Sequence, residues 1–81
     1  MQALDGSAIG GLLHEVFGAE LTAATKVCAG CGDRGPLAEV VVYVRAPGTV
    51  VRCRSCGNVL MVLVSVRGVW SVDLRGLAAL S

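Results

Sequence analysis

Two short cysteine motifs constrain this chain more than any other feature: Cys28-Ala29-Gly30-Cys31-Gly32 and, 21 residues further on, Cys53-Arg54-Ser55-Cys56-Gly57. A two-residue gap lets both sulfurs of a pair turn toward one point. Backbone amides beyond the first cysteine can reach its thiolate, and the following glycine relieves the tight turn. Two such pairs at the ends of antiparallel strands supply four thiolates in a tetrahedron, a donor set that suits one Zn²⁺ per chain. All four cysteines are consumed, and the segment 37–51 reads as strand, turn, strand, the right insert to bring the pairs together.

The chain needs such a clamp. At 81 residues it buries only about 60% or slightly more of its unfolded surface, so a hydrophobic core alone leaves it marginal. One domain over residues 1–81 is expected, with a helix at about 6–17, a cysteine-bearing region at about 26–74 and an apolar tail at 75–81. The hydrophobic fraction of 54% argues against disorder. The run 59–64 is nevertheless far short of the roughly 20 residues a membrane helix needs, so no membrane partner is expected. No basic stretch precedes the first apolar residues, which argues against a secretory signal and for a cytoplasmic chain with free thiols.

Asp5 is placed to cap a helix whose apolar positions Ile9, Leu12, Leu13, Val16 and Phe17 fall on one face, with Leu4 and Ile9 at staple spacing and Gly18 as the stop. Gly10 and Gly11 lie off that stripe, where another surface could come close. Residues 19–24 read as a second short turn or a connector. Residues 37–44 read as a strand, a turn follows at Pro47-Gly48, and Thr49-Val50-Val51 resumes extended structure. Val59–Val66 reads as a strand that Gly68 reverses into residues 69–74. Leu77-Ala78-Ala79-Leu80 reads as one packed turn. Both faces of 40–44 and 59–64 are apolar, which predicts cover from the helix on one side and from the tail, a second copy or a partner protein on the other.

The pattern over about residues 26–74 resembles the zinc-ribbon class with rubredoxin-like knuckles. That resemblance implies an α+β fold with an antiparallel sheet, in which Cys28 and Cys31 form the first knuckle and Cys53 and Cys56 the second. The chain also resembles small actinobacterial proteins of an uncharacterised family. The stretches that carry this are Leu4-Asp5-Gly6-Ser7-Ala8-Ile9-Gly10-Gly11, Arg45-Ala46-Pro47-Gly48-Thr49-Val50-Val51-Arg52-Cys53-Arg54-Ser55-Cys56 and Asp73-Leu74-Arg75-Gly76-Leu77-Ala78-Ala79-Leu80. This second resemblance implies a bacterial cytosolic protein and no particular activity.

The same four thiolates could hold iron in a rubredoxin-like redox site, and a dithiol or disulfide remains a further alternative. A catalytic zinc needs an open coordination position, which four cysteines close. No paired carboxylates, phosphate loop or dinucleotide fingerprint is present, and Asp33, Glu39 and Asp73 read as solvated charges. The expectation is therefore a non-catalytic interaction module or small accessory subunit, partnered by a protein or by itself through an apolar face.

Charge is uneven: residues 1–39 carry two basic and five acidic groups, residues 40–81 five basic and one acidic. Four thiolates with one Zn²⁺ add −2, taking the formal +1 to −1, so bulk attraction to nucleic acid is not expected. Arg52 and Arg54 flank Cys53, and Arg34 and Arg45 lie near loop ends. These four are the candidates for phosphate or partner contacts, or for offsetting the tetrathiolate. With Phe17, Tyr43 and Trp70 as the only aromatics, a base-stacking platform is not expected. Tyr43 and Trp70 read as packing residues, and His14 as an exposed helical side chain.

Overall fold

The structure, a computed structural model, describes residues 3–45 and 48–81. Its elements are β1 (Ala3–Asp5), α1 (Gly10–Phe17), β2 (Thr25–Cys28), β3 (Arg34–Pro36), β4 (Val41–Arg45), β5 (Gly48–Arg52), β6 (Val59–Val66), β7 (Val69–Asp73) and β8 (Leu77–Leu80). Short 3₁₀ turns occupy Gly6–Ile9 and Leu37–Glu39. One sheet runs β1-β4-β5-β6-β7 and a smaller one β3-β2-β8, every pairing antiparallel. This is the expected α+β arrangement with one N-terminal helix.

The valine-rich strands account for the larger sheet. β6 and β7 are joined at Arg67 and Gly68, whose φ values of 55° and 78° are those of a primed hairpin turn, matched to the twist of the strands it connects. Cross-strand register puts Val42, Val51 and Met61 in one row and Thr49 with Leu63 in the next, and all five are buried. A bulge where Val51 gives way to Arg52 lets consecutive Leu60 and Met61 both bury, which strict alternation would forbid. The helix lays its stripe over this layer: Ile9 and Leu13 are buried in the core, with Leu12, Val16 and Phe17 packed against it. Gly18, left-handed at φ 72°, ends the helix by donating its N–H to His14 O. Trp70, Leu77 and Leu80 close the core's margin, and His14 is exposed.

Four expectations need correction. Helical structure begins at Gly6 directly after Asp5, but as a 3₁₀ turn: Asp5 itself closes β1 opposite Val41, and the α-helix begins only at Gly10, after Ile9, without a side-chain cap bond. Leu4 is drawn into β1 opposite Val42, so the staple gives way to strand pairing. Residues 37–40 are not strand, because Leu37 turns inward to full burial in a 3₁₀ turn behind Pro36. The tail is not a turn but strand β8, which pairs with β2 and supplies the small sheet's third strand.

The expected close approach falls on other glycines. A Cβ on Gly6 would lie 1.9 Å from Leu37 O, and one on Gly76 would lie 1.7 Å from Val59 O, whereas Gly11 faces open space and Gly10 meets only the Thr22 methyl. Residues 19–24 form a connector without regular structure. The expected turn at Pro47 lies outside the described residues.

Candidate metal centre

Cys28 ends β2, and Cys31 lies in the turn before β3. Cys53 follows β5, and Cys56 lies in the turn before β6. The two turns share one backbone. The N–H of the first cysteine donates to the carbonyl five residues on, Cys28 to Asp33 at 3.0 Å and Cys53 to Asn58 at 2.8 Å. The N–H of the glycine donates back to the first cysteine's carbonyl, 2.9 Å in both. Gly32 and Gly57 each take φ 78°, a left-handed conformation that explains the glycine after each pair.

These turns bring the four Sγ atoms within 4.8 Å of one another, with Cys28 to Cys56 and Cys31 to Cys53 each 3.7 Å apart. Four sulfurs at about 2.3 Å from one ion in a tetrahedron stand about 3.8 Å apart, so the donor set and its spacing fit a single thiophilic metal. The first cysteine of each pair is buried and the second exposed, which places the cluster at the surface with its inner half embedded in the core. All four are free thiols.

Backbone dipoles tune the sulfurs. The N–H of Cys31, then that of Gly30 (3.3 Å to Sγ), together with the Asn58 amide and Cys56, outweigh burial and bring the Cys28 thiol down to about 6. At Cys53 burial raises the thiol, but the N–H groups of Cys56 and Ser55 and the Cys31 thiol leave it below its ordinary value. Cys31 goes the other way. The Asp33 N–H lowers it, yet burial and crowding by the Cys56, Cys53 and Cys28 sulfurs push it up to about 12. Without a cation the cluster cannot carry four negative charges at once, so a metal entering it displaces protons.

Four supporting residues were not visible as such in the sequence. Asn58 spans the two knuckles: its N–H donates to Cys56 Sγ (3.4 Å), and its Nδ2 reaches Cys28 Sγ (3.6 Å) and Gly76 O (3.5 Å). Gly76 presents its carbonyl to that amide and to the Ala29 N–H (2.9 Å), which its contact with Val59 allows only because it lacks a side chain. Asp73 holds the turn that delivers Gly76, accepting from the Arg75 backbone N–H at 3.0 Å and from its guanidinium at 2.7 Å. Lys26, only 3% exposed, points its ammonium at Asp33 Oδ2 (2.5 Å). Burial alone would lower that ammonium, but the Asp33 hydrogen bond and charge, with the Cys53 and Cys28 sulfurs, raise it. The signal for Asn58 was its offset: it stands where Asp33 stands, two residues past the second cysteine.

The four arginines do not form one patch. Arg34 and Arg54 line a shallow groove between the knuckles with Lys26, Asp33, Glu39 and Ser55, so acids interrupt its positive charge. Arg54 Nε donates to Glu39 O (2.8 Å), and Arg52 Nη1 to Gly57 O (2.9 Å), each bracing the second knuckle. Arg45 pairs with Gly48 at the far end of the β4–β5 ladder, whereas the knuckle end is marked by Val41 opposite Arg52. The expected gathering of Arg45 at the metal knuckles is therefore corrected by strand direction.

The fold and the cysteine cluster define a small α+β domain of zinc-ribbon type with rubredoxin-like knuckles. The chain belongs to DUF6510, a family of unknown function that matches residues 1–81. No curated protein and no solved structure matches it. Among the described residues, no helix is long and apolar enough to cross a membrane.

Proposed function

We propose that this is a non-catalytic structural zinc protein, holding one Zn²⁺ per chain through Cys28, Cys31, Cys53 and Cys56 and acting as a protein-interaction module or small accessory subunit. The observation that carries the reading is the sulfur cluster itself: four cysteines on two matched knuckles with 3.7 Å edges. Bound there, the ion supplies cross-linking free energy and no open position for a reactant. Structural zinc sites contribute about 10–16 kcal/mol in small peptides, as much as or more than the roughly 4–12 kcal/mol of net stability of a domain this size. Folding and metal binding are then one event. Reduced cysteines and a cytoplasmic setting belong to the same reading.

Native mass spectrometry of metal-replete protein is the direct test, with one zinc per chain expected. Two disulfides without metal would overturn the reading. Visible thiolate-to-iron absorbance in protein loaded within cells would replace it with the redox alternative. Steeply salt-dependent binding to RNA or DNA, lost in Arg34→Ala and Arg54→Ala, would favour the nucleic-acid alternative.

A further inference from the structure

The larger sheet has a second face. Register places Tyr43, Val50, Val62 and Asp73 in one cross-strand row, Val64 beside Ser71 in the next, Val66 opposite Val69 beyond that, and Val41 in the row nearest the knuckles. On the opposite face the central positions Val42, Val51, Met61, Thr49 and Leu63 are buried, and exposure is confined to Leu4, Val44 and Val72 toward the sheet's margins. Here Val41, Tyr43, Val50, Val62 and Val64 are only half-buried, and Val66 and Val69 are 56% and 69% exposed. None of these side chains packs against the core cluster, and α1 lies on the other side of the sheet. The domain therefore presents a sheet face of valines and one tyrosine to solvent.

We propose that this face is the interface of a homodimer, two copies stacking their sheets as in a β-sandwich. The inference rests on the interaction-module reading above and supplies its partner. Size supports it. Five strands about 4.8 Å apart, each presenting about five residues of about 3.3 Å, make a face of about 400 Å² in projection. Side-chain relief brings that toward the roughly 600–800 Å² per partner of a small stable interface. Charge supports a second copy over a foreign chain. Register places Asp5 and Arg52 in the row of Val41, Arg45 in the row of Val64 and Asp73 at the β7 edge, two acids and two arginines whose formal charges cancel, so the face meets its own image without net like-charge repulsion. Two identical twisted sheets also meet the aligned packing geometry, about 10 Å apart, without adjustment. Tyr43 is the aromatic anchor of the patch.

The test is sedimentation equilibrium of the zinc-loaded full chain from about 1 µM to about 500 µM, with zinc stoichiometry measured on the same samples. The expected species is a dimer of twice the 8.3 kDa chain. Val50→Lys, which a solvent-exposed sheet face tolerates in a monomer, should raise the dissociation constant at least about tenfold while zinc and circular dichroism stay unchanged. Val64→Lys is the second variant should the first fail to fold. Val44→Lys, exposed on the opposite face of β4, should leave the dimer intact. A wild-type chain that stays monomeric throughout, or a dimer indifferent to Val50→Lys and Val64→Lys, overturns the proposal. A zinc-loaded monomer would do so while leaving the zinc reading standing, whereas absent zinc fails that reading whatever the subunit number.

Discussion

The two knuckles share a backbone and differ in what surrounds it. Two residues before its first cysteine, the first knuckle has Lys26 and the second has Val51, both buried. Two residues after its second cysteine, the first has Asp33 and the second Asn58. The first knuckle thus places an ion pair beneath its sulfurs, while the second places a valine in the core and an amide that crosses to its neighbour. Presenting two thiolates to one point depends on turn geometry, so both copies keep it. Anchoring each turn depends on what the rest of the fold offers there, and the anchors diverge.

The strongest way to break the symmetry is at the ligands. Cys28→Ala or Cys53→Ala removes a buried thiolate that water cannot replace, and should abolish metal binding and the cooperative thermal transition together. Cys31→Ser or Cys56→Ser, at exposed positions, should retain weakened metal that mass spectrometry still detects. Acid separates the same groups. Because a metal must displace the proton held at Cys31, affinity should fall about tenfold per pH unit for each displaced proton, and more steeply once Cys28 also takes up protons below about 6. The Asp33 contribution survives further. Lys26, through hydrogen bond and charge, lowers the folded pKa, so this stability is full above the ordinary value of 3.8 and is lost only as the pH drops below it toward the depressed folded value. Metal release read with a chromophoric chelator should therefore precede loss of the ion pair.

Gly76→Ala tests the shared support. Its methyl would enter the Val59 carbonyl, displacing the carbonyl that holds Ala29 and Asn58. A cost of about 1–3 kcal/mol is expected, with a melting point lower by about 4–8 °C per kcal/mol. Exchanging the divergent residues sharpens the contrast. Asn58→Asp removes a donor from Cys28 and adds charge beside thiolates, so metal affinity should fall about 10–100-fold in a competition titration. Asp33→Asn should instead lower the melting point more than the affinity, because it strands the Lys26 ammonium. The smallest and most symmetric effect should come from Gly32→Ala and Gly57→Ala. Each forces alanine to positive φ at a cost of about 1–2 kcal/mol, and equal losses are expected from their equal angles.

The site was legible because a metal knuckle is local: cysteine spacing and glycine position follow from a five-residue turn, and the turn formed as its sequence required. The β6–β7 hairpin and the helical stripe were legible for the same reason, each repeating a short period. Reading failed where a segment's state depends on a distant partner. Leu77–Leu80 is a strand because β2 has a free edge beside it, and Ala3–Asp5 is a strand because β4 does. Leu37 breaks the valine pattern because its side chain is buried in the core while its carbonyl packs against Gly6, a glycine distant in sequence.

By itself, then, the sequence determined the two cysteine knuckles, two left-handed glycines and an amphipathic helix, all set by interactions within a few residues. Only the tertiary structure decided that Lys26 is buried against Asp33, that Asn58 serves the opposite knuckle, that Arg45 stands apart from Arg52, and which sheet face stays open. Those outcomes follow from strand order and register, which are selected by the global balance of burial and backbone pairing and leave no trace in local spacing.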